Sequence, residues 1–372
     1  MSKKNKTENE KYLSEQLITY LGNKRKLLDF IESAVVDIKK ELGKDKLVLL
    51  DGFAGSGVVS RSFKKHAKKV ISNDLENYSY IIGKCYLTNG KDVDMERIKF
   101  HLKEMEKIRK SVKKGIIQRM YAPKDDKNIQ KGERVFYTTK NAQAIDSFMK
   151  YIHEKVEEEL KPFLLAPLLS EASIHANTSG VFKGFYKNSE TGKGQFGGNA
   201  QNALVRILGD IKLQEPIFSN FDCRSEVHQK DINELIKELP EVDVAYYDPP
   251  YNQHPYGSNY FMLNIISENK EPKEVSEVSG IPTDWKKSAY NKRVSAEKFL
   301  DDLAKNTKAK YLLLSYNDEG IIPIDRIKEI LGQYGEVTLL EKEYNAFRGS
   351  RNLGDRALKV KELLFKLKKK SP

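Results

Sequence analysis

The stretch KLVLLDGFAGSGVVSRSFKKHAKKVISND, residues 46–74, constrains the fold more than any other. An apolar run, Leu47 to Leu50, is broken by Asp51-Gly52-Phe53-Ala54-Gly55-Ser56-Gly57. An amphipathic stretch follows, then a second apolar run that ends in the acidic tip Asn73-Asp74-Leu75-Glu76. Strand, Gly-rich turn, helix and strand in succession open a doubly wound α/β sheet. Glycines in such a turn let the backbone approach a ligand closely, and the helix behind it offers free N–H groups. Gly55-x-Gly57 alone fits NAD, FAD or S-adenosylmethionine equally. The third glycine of the dinucleotide fingerprint is absent, and Ser60 stands there. Asp74 lies at the spacing of a ribose-binding acid, with Glu76 as its competitor.

The sheet pattern then stops. Residues 90–225 are rich in Lys, Glu, Gln and Asn, with a helical stretch over 142–160 and a Gly/Asn-rich patch over 178–202. Strand patterns resume at 241–250, 309–318, 335–344 and 358–367, and a helix is expected at the end of the charged segment 268–305. The expected organisation is a catalytic domain from 1–90 and 225–372 interrupted by an inserted domain at 91–224. Residues 1–12 are polar and read as a frayed terminus.

Charge and cysteine usage narrow the partners. Lys and Arg number 65 against 53 Asp and Glu, a formal charge of +12. That excess fits a polyanion such as nucleic acid, though a surface charged for solubility produces the same number. The two cysteines, Cys85 and Cys223, form no CxxC pattern, and His175, His228 and His254 have no ligand spacing, so neither a disulfide framework nor a metal is expected. No apolar stretch approaches the roughly 18 residues of a membrane span. The first residues are charged but lack a secretory apolar region, so a cytoplasmic location is expected.

The sharpest local signal is VAYYDPPYNQ, residues 244–253. Two prolines cannot continue a central strand, because each lacks the N–H that the ladder needs. They fix the turn, bias Asp248 to an extended conformation and leave carbonyls without ladder partners. Asp248, a free carbonyl from Pro249-Pro250 and the face of Tyr251 together make a cage for a planar ring bearing an amine. Two acceptors can take both hydrogens of that amine, localise its lone pair and receive the proton it sheds. This chemistry suits methylation of a ring-conjugated amine and asks for no metal.

The ordered set TYLGNKRKLL (19–28), DGFAGSG (51–57), HQKDINELI (228–236) and DPPY (248–251) resembles the adenine-specific, amino-group DNA methyltransferases of the Dam type, which include many restriction-system modification enzymes. The likeness covers about 15–90 and 225–365, and of its motifs only DPPY is specific alone. It implies a Rossmann-like methyltransferase sheet, with an antiparallel hairpin late in it, and a mainly helical insert for target recognition. It implies S-adenosyl-L-methionine held by Tyr20, Lys24, Asp51, Phe53, Gly55, Ser56, Gly57, Asp74, Asp231, Ile232 and Asp248. Asp248, Pro249, Pro250 and Tyr251 would carry the transfer to N6 of an adenine flipped out of duplex DNA. Lys183, Lys187, Lys193, Gln195, Asn199, Gln201 and Asn202 of the insert, with Arg348 and Arg351, are the candidates for contact with DNA. A monomer is expected, working beside a cognate restriction endonuclease. Two other readings stay open: an RNA adenine methyltransferase, and a DNA-binding protein that kept the fold without the chemistry. A dehydrogenase would leave DPPY with no task.

Overall fold

In the computed structural model, β1 (Leu47–Asp51), β2 (Ala67–Asn73), β3 (Arg224–His228), β4 (Val242–Tyr247), β5 (Ala309–Asn317), β6 (Gly335–Asn345) and β7 (Lys359–Lys369) form a seven-stranded sheet. The structure describes residues 7–198, 201, 203–253, 255–345 and 359–370. The strand order is β3-β2-β1-β4-β5-β7-β6. The first five strands in this order run parallel. β7 slots between β5 and β6 and is antiparallel to both, which is the late hairpin implied by the family resemblance. The order reverses between β1 and β4, so the crevice at their carboxyl ends is the switch point where doubly wound sheets bind ligands.

Along the chain the helices are α1 (Glu10–Ser14), α2 (Leu28–Leu42), α3 (Val58–Phe63), α4 (Asn77–Tyr86), α5 (Met95–Lys107), α6 (Ile116–Tyr121) and α7 (Thr139–Lys155). They continue with α8 (Lys161–Ile174), α9 (Leu204–Leu208), α10 (Ile232–Glu238), α11 (Tyr256–Asn259), α12 (Phe261–Glu268), α13 (Arg293–Asn306) and α14 (Ile324–Gly332). All six residues of β4 are buried, because helices cover both faces of the sheet. Val244 and Tyr246 face α2 and α3, while Ala245 and Tyr247 face α10 and α13. α2 buries Leu28, Ile31, Ala34, Val35 and Ile38 along one stripe, with each larger side chain contributing about 1.5–3 kcal/mol. It stops at Gly43, whose φ of 60° closes the last turn.

Three sequence expectations need correction. β3 was not anticipated; it is a five-residue edge strand with no fully buried position, so it lacks the apolar run that marks an inner strand. α8 was also missed. It carries prolines at 162 and 167 yet is buried on nearly every face, so hydrophobic packing outweighs the helix-breaking cost of Pro167. The first described residues are docked rather than frayed. Tyr12 is buried and its hydroxyl donates to the Tyr86 carbonyl at 2.6 Å, and the Glu8 carboxylate accepts from Ser219 Oγ and the Asn220 N–H. A single aromatic anchor inside a polar stretch leaves no periodicity to read.

Of the helices in residues 91–224, α5 to α8 share one apolar cluster with α4 and α12. Ile145, Phe148 and Leu164 from this region lie in the same cluster as Tyr78, Ile82 and Phe261. Burial of this kind packs the region against the helix that follows β2.

Candidate active site

The turn after β1 is held from three sides. Gly52 N–H donates to the Tyr246 carbonyl at 2.9 Å, Ala54 N–H to the Asn73 carbonyl at 2.9 Å, and Gly55 N–H to Asp74 Oδ2 at 2.7 Å. Gly55 has φ +52°, and a Cβ there would lie 2.7 Å from the ring of Tyr20. A Cβ on Gly52 would lie 2.5 Å from the Tyr247 ring. Both positions therefore exclude a side chain, one by conformation and space together, the other by space alone.

A cleft opens above this turn. Tyr20, Lys24, Asp51, Phe53, Gly55, Ser56, Asp74, Asp231, Ile232, Asp248 and Pro250 all line it. Eleven of the positions singled out in the sequence, drawn from segments far apart in the chain, thus converge on one cleft. Gly57 stands behind it as the left-handed residue that starts α3. Pro249 is buried. The Tyr251 ring packs edge-on against Tyr316 at 5.8 Å, with Lys24 Nζ 5.4 Å from its centroid, rather than among the cleft-lining residues.

Charge in the cleft is arranged around Lys24. Its Nζ lies 3.0 Å from Asp248 Oδ1 and 3.0 Å from Glu362 Oε1, with the lysine side chain 4% exposed. Burial alone would push the Lys24 pKa down; the two carboxylates outweigh it and hold the group above the ordinary lysine value. Burial raises the pKa of Asp248, and Lys24 only partly offsets that. Asp51 is buried, accepts from Ser60 Oγ at 2.6 Å through Oδ2, and keeps Oδ1 without a hydrogen-bond partner. Burial pushes its pKa up to about 7. Asp74 ties the tip of β2 to the turn, accepting from Gly55 N–H and from Glu76 N–H at 2.9 Å. Glu76 also lines the cleft, accepts from Asn264 Nδ2 at 2.6 Å, and is raised to about 7 by burial.

Aromatic rings form two walls. Tyr20 stacks on both Tyr256 and Tyr260, with centroids 5.0 and 4.8 Å away, and those two rings lie 6.0 Å from each other. Of the segment after DPPY, Tyr260 is thus core, its hydroxyl oxygen accepting from Leu21 N–H at 2.7 Å, while Tyr256 lines the cleft. His254 lies outside the described residues. On the opposite side Phe53 meets Tyr290 edge to face at 5.2 Å, above Ile232. Asp231 caps the N-terminus of α10 by accepting from Asn233 N–H. An unpartnered buried carboxylate oxygen, a glycine turn without room for side chains and an aromatic slot fit a ligand with a cationic end and a flat ring.

Sequence reasoning missed Glu362, Lys286, Ser288, Tyr290 and Asn291. The last four line the cleft from a charged, irregular segment that carries no motif. Glu362 sits inside the alternating pattern of β7, where a single acid reads as a solvent-facing residue; it is 1% exposed.

The outer candidates are placed differently. Lys183, Lys187 and Lys193 are exposed on the Gly-rich patch, and Lys187 Nζ lies 5.2 Å from the Phe185 ring centroid. Gln195 is half-buried and donates to the Gly197 carbonyl at 3.2 Å; Gln201 is exposed. Asn199, Asn202, Arg348 and Arg351 lie outside the described residues. The patch is clamped by Asn177, fully buried, which donates to the Val135 and Gln195 carbonyls and accepts from Gly197 N–H. Among the described residues no cluster of His, Cys, Asp or Glu is arranged to hold a metal. Cys85 and Cys223 are both free and buried. Also among the described residues, no helix is long and apolar enough to cross a membrane.

The sequence pattern of the family MethyltransfD12, D12 class N6 adenine-specific DNA methyltransferase, matches residues 20–330. The chain belongs to this family. The methyltransferase is 29% identical to the Type II methyltransferase M.NlaIII of Neisseria lactamica over 341 residues, spanning 90% of this chain and 93% of that protein. It is 30% identical to the Type II methyltransferase M.CviAII of Paramecium bursaria Chlorella virus 1 over 340 residues, spanning 89% and 93%. Against the Type II methyltransferase M.FokI of Planomicrobium okeanokoites, 27% identity spans 85% of this chain but only 47% of the longer protein. Family membership leaves no room for the dehydrogenase reading, and it gives no support to RNA as the substrate.

Proposed function

We propose that this D12-class methyltransferase holds S-adenosyl-L-methionine in the switch-point cleft and is the modification enzyme of a restriction system. The observation that carries the reading is the position of Asp248, a carboxylate at the end of β4 lining the same cleft as the glycine turn. S-adenosylmethionine, when bound, supplies an electrophilic methyl carried on a sulfonium.

Asp51, with its unpartnered Oδ1, and Lys24 suit the amino and carboxylate ends of the methionine part. Asp74, backed by Glu76, suits the ribose hydroxyls. Phe53, Ile232 and Tyr290 suit the adenine ring, with Asp231 placed for its polar edge. Asp248 accepts from the N6 hydrogens of the flipped target adenine, and the Pro249-Pro250 turn supplies a carbonyl as second acceptor. With the methyl supplied by the bound cofactor, Asp248 would hold the N6 amine in line for transfer and take up the proton that the amine sheds. Its side chain is 18% exposed, which gives that proton a route to water. Tyr251, packed against Tyr316 at the rim of the cleft, is the residue to stack on the flipped base.

The helical region 91–224 serves as the recognition part, with Lys183, Lys187 and Lys193 on phosphates and Gln195, Gln201, Asn199 and Asn202 toward base edges. Arg348 and Arg351 are further candidates for backbone phosphate. A monomer suffices, because each strand of a site is methylated separately. A cytoplasmic location and a partner endonuclease complete the reading, the latter on the names of the relatives.

Methyl-labelled S-adenosylmethionine with unmethylated duplex DNA tests it, comparing the wild type with Asp248→Ala and digesting the product to nucleosides. The expected label is in N6-methyldeoxyadenosine, at least about 1,000-fold lower in the variant if Asp248 both aligns the amine and takes its proton. Label in a cytosine product, or on RNA in place of DNA, would overturn the reading.

A further inference from the structure

We propose that Glu362 is a positioning residue for methyl transfer, acting through Lys24 on Asp248. The inference rests on the reading of Asp248 as proton acceptor. The three groups come from the turn before α2, the end of β4 and the start of β7. They meet because antiparallel β7 brings its N-terminal end to the carboxyl edge of the parallel strands, where Glu362 pairs in register with Asn317 of β5. Glu362 and Tyr246 lie on the α2 side of the sheet, as Leu364 and Tyr246 both belong to the cluster that packs there.

The charge count is the unusual part. Lys24 and Asp248 already neutralise each other at 3.0 Å. Glu362, itself 1% exposed, adds a second carboxylate at 3.0 Å from the same ammonium. A buried extra charge gives a pair that is already compensated no stability in return. What it changes is the ammonium. The negative charge of Glu362 opposes the field of the ammonium at Asp248, so Asp248 stays a better base. The ammonium is also anchored from behind, which fixes the Asp248 carboxylate toward the cleft. With all three ionised the trio carries a net charge of −1, which favours a sulfonium over an uncharged thioether.

The other groups facing the trio are Asp51 at the end of β1, Tyr246 on β4, Tyr251 and Tyr256 after β4, Ser315 and Asn317 on β5, and Lys342, the register partner on β6. Burial raises the pKa of Tyr246 and Tyr256, so they stay neutral across the working range. Asp51 is the remaining titrating neighbour of Asp248, and it acts equally in wild type and variant.

The test uses the full-length protein as Glu362→Gln and Glu362→Asp, with Asp248→Asn as reference. Turnover of duplex DNA is followed against pH, and binding of S-adenosylmethionine and S-adenosylhomocysteine is measured by calorimetry. In Glu362→Gln, Asp248 faces an unopposed ammonium. The acid limb of kcat should move down by about one pH unit, and plateau kcat should fall at least about tenfold. The preference for S-adenosylmethionine over S-adenosylhomocysteine should shrink several-fold. Glu362→Asp keeps the charge and should restore the limb, with kcat between the two. An unmoved limb and an unchanged cofactor preference in Glu362→Gln would overturn the inference, whatever the melting temperature does. Should the glutamine variant not fold, Glu362→Asp decides, because wild-type kcat after shortening the side chain would refute a positioning role. An acid limb that persists in Asp248→Asn would instead defeat the reading of Asp248 itself.

Discussion

Asp51 offers the most direct test of how the cleft is wired. It is 1% exposed, accepts from Ser60 Oγ and has a second oxygen with no partner, and burial carries its pKa from 3.8 to about 7. A carboxyl raised in the folded state contributes most stability below its unfolded pKa and loses it as pH climbs to the folded value. The loss is about 1.4 kcal/mol per pH unit between those limits, on the order of 4 kcal/mol in all. Between pH 5 and pH 8 the ligand-free wild type should therefore lose about 3 kcal/mol through this one group. Asp51→Asn keeps an oxygen for Ser60 and removes the ionisation. Its stability relative to wild type should rise by that amount from pH 5 to pH 8, read by urea denaturation at each pH. Cofactor binding should show the opposite sign. A cationic ligand group favours ionised Asp51, so wild-type affinity should climb up to tenfold per pH unit toward pH 7 and level off above it. The asparagine variant should bind weakly with a flat profile. Equal pH slopes for wild type and variant, in stability and in binding, would refute the assignment of Asp51 as the buried, cofactor-compensated carboxyl.

Two other substitutions probe the frame around the site. Gly55→Ala places a Cβ 2.7 Å from the Tyr20 ring at φ +52°; the backbone strain alone is about 1–2 kcal/mol. Calorimetry should find S-adenosylmethionine binding weakened at least about tenfold, and wild-type affinity would show that the turn is not the cofactor cradle. Asn177→Ala removes three hydrogen bonds of 2.7, 2.8 and 2.9 Å, two buried and one part-buried, that clamp the Gly-rich patch. The expected destabilisation is about 2–4 kcal/mol in urea denaturation. DNA methylation should fall while cofactor affinity holds, whereas parallel losses in both would argue against a separate recognition patch.

Sequence alone determined the α/β class, the glycine turn and the stop at Asp248-Pro249-Pro250, while the late hairpin came only with the family resemblance. The first three are set by local rules: the period of apolar residues, the missing N–H of proline and the conformational freedom of glycine. Those rules act over a few residues, so the sequence displays them directly. It left β3, α8 and α1 unread, because an exposed edge strand, a helix apolar on every side and a single buried tyrosine produce no period. Tertiary structure decided which charges meet. Lys24 had a place in a motif and Glu362 had none, yet the two touch because β7 runs antiparallel between β5 and β6. Tyr290 likewise reaches the cleft from a segment that looks like solvent-facing loop. Pairings of this kind depend on strand order and register, which are properties of the whole sheet, and no window of the sequence contains them.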